Sequence, residues 1–497
     1  MLGAYYTPSR NPRTAPRVDR YKLNTPLPII VNTMRDDTMQ SSLSERLAHL
    51  RRRTGFSARE SEIEPLISLG IEGAVDRLLE SPYDHTIDDE AVLRLLQGDM
   101  NNLQPQAVSA WWLYRMLVSQ QPIQERLALF WHNHFAASAS KVQAGRLMLI
   151  QIQLFQRLGL DNFKTLTLEV ARDPAMLVWL DGVRNVKGRP NENFARELFE
   201  LFTTGIGHYT ERDIQEAARA FTGWSFSRVT ASFVFNRNQH DDGEKEVFGR
   251  RGAFGGEDII EMAVEHPATA QHIARKFYQH FINDTEPPDE RTVQELAKVF
   301  RESGYSIRAL MRRLLLTPAF WSHLNWRKRV KSPVEFVVGA LRQVGVGERL
   351  RAVNLSDGAG QRLLAAYLRV ATQWTRRIGQ LLLYPPDVAG WEWGKAWITS
   401  TTMLERMRFA EFLLPQRGAV GFATLNELVG LPASRTLEEF VGRLERTLDV
   451  ALQPRTRASL LEYLQKRGGV NALRQRDRQT VQGALQIVFS AAEYQML

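Results

Sequence analysis

Histidine, carboxylate and amide side chains crowd into three short stretches of this chain. These residue types hold divalent ions or move protons. His132 and His134 flank an asparagine in RLALFWHNHFA, residues 126–136. Asn191, Glu192, Asn193, Arg196 and Glu197 fill the start of NENFARELFELFTTG, and His208 follows it closely. His240, Asp241, Asp242 and Lys245 belong to HDDGEK, residues 240–245. A set drawn from His132, His134, Glu197, His240 and Asp241 suits a hard or borderline divalent metal, with a position open for water or substrate. A metal-free version uses His240 as general base, oriented by Asp241, with a glutamate such as Glu197 as acid.

The same residues have structural readings. Glu192 and Arg196 form an i, i+4 helix pair. Asn191 and Asn193 serve backbone donors at a helix start. His134 and His280 sit on apolar helix faces and hydrogen-bond within a core, while Asp242-Gly243 turns a hairpin. On a regular helix, His132 and His134 lie about 200° apart and cannot share one metal. None of the spacings matches a metalloprotease HExxH signature.

The elements that must position these residues are mostly helical. Leu127, Phe130, Trp131 and His134 recur at i, i+3, i+4 and i+7, one face of a helix that starts at Pro122. Pro190 opens a second pattern carrying Phe194, Leu198, Leu201 and Phe202, stopped by Gly205 and Gly207. Thr210 and Asp213 cap the next helix, with Ile214, Ala217, Ala218 and Phe221 as its stripe. Ser332, Pro333 and Glu335 form a strong helix start. Arg51-Arg52-Arg53 reads as a basic run where a helix dipole favours cations. The only β signal is alternation at 232–236 and 245–248, which predicts a hairpin insertion over about 231–249. The Trp-rich stretch 384–397 reads as a long loop locked onto helices.

The 497 residues are 44% apolar and 24% charged, with net charge +9, ordinary for a soluble globular chain. That charge, without interleaved aromatics near the basic runs, makes nucleic acid an unsupported partner. The absence of cysteine excludes disulfides, thiolate catalysis and Cys-ligated metals. No run is apolar for the roughly 18 residues a membrane span needs. No signal-peptide core precedes Met34, so the chain as written reads as cytoplasmic, or as periplasmic or secreted if its start is misassigned. Residues 1–40, rich in Pro, Arg, Asn and Thr, read as an extended, disordered arm. Residues 41–497 read as one large, mostly α domain, with closing helices over about 416–497.

Taken together, LAHLRRRTGF, RLALFWHNHFA, NENFARELFELFTTG, YTERDIQEAARAFTGW, HDDGEK, SPVEFVVGALRQ and IGQLLLYPPDVAGWEWGKAWI occur in an order that resembles the bacterial domain-of-unknown-function 1800 family. The resemblance covers nearly everything after residue 40. It implies a partner of the sulfatase-like class and carries no established activity. Two readings stay open. One is a metal-assisted, hydrolase-like enzyme with its site between the His132–His134 helix, the 190s helix and the 240s loop. The other is a non-catalytic scaffold or partner-binding protein.

Overall fold

Three helices are buried on almost every face and form the centre of the protein. They are Pro105–Val118, Pro122–His134 and Pro333–Gln343, each opened by a proline at the first turn. A helix apolar all round has no solvent face to offer, so other helices must surround it. Pro105–Val118 packs on Asp89–Gln97, Gly145–Leu158, Pro333–Gln343 and Gly358–Ile378. Pro122–His134 lies between Gly145–Leu158 and the first described helix, Leu43–Thr54. The computed structural model describes residues 42–80, 83–97, 102–414 and 435–497, and these belong to one compact unit. The expected arm over 1–40 and the stretch 416–434 of the closing region lie outside the described residues.

Helices dominate, as the sequence predicts, and the caps fall where their chemistry places them. Ser332 and Glu335 form a reciprocal capping box, and so do Thr210 and Asp213. The closing helices pack back on the body: Ser400–Leu413 lies along Arg478–Ser490. The chain end then pairs with the segment before Ser332, where the Lys331 amide donates to the Gln495 carbonyl and the Leu497 amide to that of Arg329. Among the described residues no helix is long and apolar enough to cross a membrane.

The predicted hairpin is corrected. Residues 232–236 and 245–248 do not pair with each other. Trp224–Phe226 pairs antiparallel with Phe233–Phe235, and Lys245–Val247 with Arg250–Gly252. Local turns decide this. Phe248 and Gly249 both have positive φ, 49° and 72°, the two-residue turn that suits strand twist. The intervening Asp-Gly does not turn a hairpin. Asp241 Oδ1 instead accepts the Gly243 amide at 2.9 Å in a loop side-chain turn.

The 190s pattern also differs from a plain helix. It is α-helical only over Asn193–Glu197 and continues as a π-helix over Leu198–Phe202, with Pro190 ahead of both. Hydrogen-bond widening of this kind leaves the apolar periodicity nearly intact, so sequence spacing does not reveal it.

Candidate functional site

The His132–His134 helix carries its two histidines into different surroundings. His132 is fully buried, with its ring edge-on to Trp112 at 5.4 Å and to Trp391 at 5.5 Å. Burial pushes its pKa down to about 3, so the ring is neutral. His134 points at the end of the π-helix, and its Nε2 lies 3.1 Å from the Phe202 carbonyl. A carbonyl only accepts, so that nitrogen carries the proton. Burial, then Lys276 and His272, hold His134 well below the usual imidazole range. Between the two, Asn133 clasps the Trp-rich loop. Its Nδ2 donates to the Trp391 carbonyl at 3.2 Å, and its Oδ1 accepts the Trp391 amide at 2.6 Å. The loop is locked onto the helix, as its composition predicts.

The π-helix ends in carbonyls that need donors. Leu201 O receives His272 Nε2 at 3.0 Å and Lys276 Nζ at 3.3 Å. Thr204 Oγ1 donates to Phe199 O at 2.8 Å. Burial brings Lys276 down to about 8 and His272 to about 4. His272 and Lys276 are absent from the sequence-derived candidates, although their i, i+4 spacing places both on one helix face. Glu197 sits on the outer side of this element, half-buried. Burial and then Glu200 raise its pKa, with Asp387 adding to the effect. Arg196 pairs with Glu192 as predicted and also with Glu211, at 3.1 and 2.8 Å. Asn191 Oδ1 accepts the Asn193 amide at 3.0 Å, the helix-start role expected of it.

The 240s loop is tied to the Glu211–Ala220 helix rather than to the histidine helix. His240 Nδ1 lies 2.9 Å from the Thr222 carbonyl, and the Asp241 amide donates to Thr222 Oγ1 at 2.8 Å. Asp241 receives Arg219 Nε at 2.8 Å and Nη2 at 3.2 Å. That forked bond holds the carboxyl at about 2. Lys245 Nζ closes the loop onto the Asp241 and Gly243 carbonyls at 2.6 and 2.9 Å. Asp242 is exposed, 4.0 Å from Lys187 Nζ. Asp241 therefore orients Arg219, and the His240 ring nitrogen that would need orienting is held by Thr222.

The predicted ligand set is not brought together. Among the described residues no group of three or more His, Asp or Glu is placed to hold a metal ion. His240 and Asp241 share Thr222, while His132 and His134 have contacts of their own, with Trp112 and Trp391 and with Phe202. His208 is exposed instead on an open pocket of about 610 Å³, beside Tyr209, Asp213, Arg250, Glu265 and His266. Its ring lies 6.0 Å from that of His266. His266 accepts the Ala268 amide at 3.3 Å as a helix cap. Asp213 is occupied too, by the Thr210 amide at 2.8 Å and the Phe248 amide at 2.7 Å.

Asp241→Asn is expected to lower unfolding free energy by about 1–2 kcal/mol, the range for a partly exposed charge-assisted bond. Because the folded carboxyl is depressed to about 2, its contribution is present above the unfolded pKa near 3.9 and fades between the two. Urea unfolding of both proteins at pH 7 and at pH 3 should show the difference shrinking at the lower pH.

The fold and these networks define a large helical protein whose polar motifs join helices to loops. The chain belongs to the family described as protein of unknown function (DUF1800), whose model matches residues 49–496. No curated protein and no solved structure matches the chain.

Proposed function

We propose that this protein is a non-catalytic scaffold that binds a partner, rather than a metal-assisted hydrolase. One observation carries the reading: most polar residues of its motifs are engaged with backbone carbonyls and distant side chains, whereas His132, whose two ring nitrogens have no hydrogen-bond partner among the described residues, is enclosed by Trp112 and Trp391. His134 caps the π-helix at Phe202, Asn133 clasps Trp391, His240 holds Thr222 and Asp241 holds Arg219. A catalytic base needs a nitrogen or carboxylate aimed at substrate. Here those atoms fasten one element to the next, which suits a rigid body that presents surfaces. By the family resemblance, the partner is a sulfatase-like protein.

Elemental analysis of the purified protein and of His240→Ala tests the choice. The scaffold reading expects no stoichiometric metal in either, with His240→Ala altering only stability. A stoichiometric metal lost in His240→Ala would restore the hydrolase reading. Co-expression with a tagged sulfatase-like protein, followed by size-exclusion chromatography, tests the partner. Separate elution of the two would remove it.

A further inference from the structure

Three guanidinium groups meet in the interior where five segments converge. Arg53 comes from the Leu43–Thr54 helix, Arg126 from Pro122–His134, and Arg329 from the strand-like segment before Ser332. Arg53 and Arg126 are 0% exposed and Arg329 is 4%. Facing them are Glu335 at the start of its helix, Asp284, and His280 of the Pro267–Phe281 helix.

The charges do not balance. Arg329 Nη1 donates to Glu335 Oε1 at 2.6 Å, and Arg126 pairs with the same carboxylate. Asp284 stands 4.0 Å from Arg329 Nε, and its Oδ1 accepts the Val330 amide at 3.0 Å. Burial raises the Asp284 carboxyl from its ordinary range, with Arg329 opposing the shift. Arg53 Nη2 reaches only a neutral acceptor, the Asn325 carbonyl at 2.8 Å. Among the described residues, Arg53 Nε and Nη1, Arg126 Nε and Nη2, Arg329 Nε and His280 Nε2 have no hydrogen-bond partner, and Arg126 Nη1 has only the carboxylate it shares with Arg329. Guanidinium groups do not shed their proton at neutral pH. A buried cation without a partner is among the most unfavourable arrangements a fold can hold.

The Trp-rich loop lies directly over this cluster. Trp393 is edge-on to His280 at 5.4 Å and near Phe130 at 6.2 Å. A Cβ on Gly394 would come within 2.3 Å of the Asp284 carbonyl, so the loop touches the cluster's own backbone. Guanidinium forks match the geometry of tetrahedral oxyanions and bind them in parallel pairs of N–H bonds.

We propose that the Arg53–Arg126–Arg329 cluster, with His280, binds a small inorganic oxyanion, phosphate or sulfate, beneath the Trp-rich loop. The anion supplies the missing negative charge and accepts the unpartnered N–H groups. Equilibrium dialysis of the full chain against phosphate or sulfate in a sodium chloride background, followed by ion chromatography of the denatured protein, reads all bound anion whether added or carried through purification. About one equivalent per chain is expected, with saturation raising the thermal midpoint by several degrees. Comparing the phosphate and sulfate arms identifies the preferred ion. Arg126→Met should lose the bound anion. Asp284→Asn, which keeps the shape and removes the competing negative charge, should tighten binding several-fold. Less than a small fraction of an equivalent in both arms, or equal anion on Arg126→Met, overturns the proposal. If Arg126→Met does not fold, Asp284→Asn decides, and unchanged or weaker affinity overturns it.

Discussion

Glu335→Gln is expected to destabilise the protein by about 3–5 kcal/mol, the range for removing one partner of a buried ion pair. Glu335 is 1% exposed and serves two cations. Its Oε1 accepts Arg329 Nη1 at 2.6 Å and also pairs with Arg126. Its other oxygen accepts the Ser332 amide at 2.7 Å and closes the capping box. Glutamine keeps the volume and one acceptor, so helix capping survives. What it removes is the charge, leaving two buried guanidiniums without their shared anion. Urea unfolding followed by circular dichroism should show the midpoint falling with an unchanged slope, since no extra surface is exposed in the folded state. A loss under about 1 kcal/mol would mean that the pair is compensated elsewhere.

The same residue sets a pH dependence. Burial alone would raise the Glu335 carboxyl, but Arg126 and Arg329 prevail and hold it at about 2. Its folded pKa lies below the unfolded value near 4.3, so the unfolded chain takes up the proton first. The stabilisation is therefore complete above about pH 4.3 and is lost as pH falls through about 2. Glu335→Gln should flatten that part of the acid unfolding curve.

Much of the helical layout is readable from local chemistry. The Ser332–Glu335 and Thr210–Asp213 boxes need only three-residue spacing, and both form. The inward face of the Pro122–His134 helix follows from i, i+3, i+4 periodicity. The candidate site is less legible because its partners are distant in sequence. Arg51, Arg52 and Arg53 look like a run suited to a helix end, yet all three are buried. Their partners are Glu62, Asp449 and the Asn325 carbonyl. Arg52 and Asp449 are 397 positions apart, and nothing in the local pattern announces such a pair. The histidine and carboxylate motifs fail to converge for the same reason. Residue type marks each as polar and embedded, but whether it faces a ligand or a carbonyl is settled by tertiary packing. His134 illustrates this: its placement on an apolar face is legible, and its acceptor, Phe202 O, belongs to a π-helix that is not.

Trp131→Ala is expected to cost about 3–5 kcal/mol, the range for emptying a buried large aromatic site. The ring is 0% exposed and lies against Phe135 at 5.7 Å, Phe163 at 5.8 Å, Phe277 at 5.6 Å and His134 at 5.5 Å. Its Nε1 donates to the Gly159 carbonyl at 3.0 Å. Trp131→Phe keeps most of the contact and deletes that donor, so it should cost about 1–3 kcal/mol, the desolvation penalty of an orphaned carbonyl. The gap between the two variants separates packing from hydrogen bonding. The larger cavity also removes the support beside His134, whose Nε2 caps the π-helix. Hydrogen exchange should therefore show the Gly205 amide, bonded to Phe199 O at 2.9 Å, losing more protection in Trp131→Ala than the global stability change accounts for. If its protection falls only in step with the global change, the histidine cap is not held in place by the tryptophan, and His134 orients itself through the Phe202 carbonyl alone.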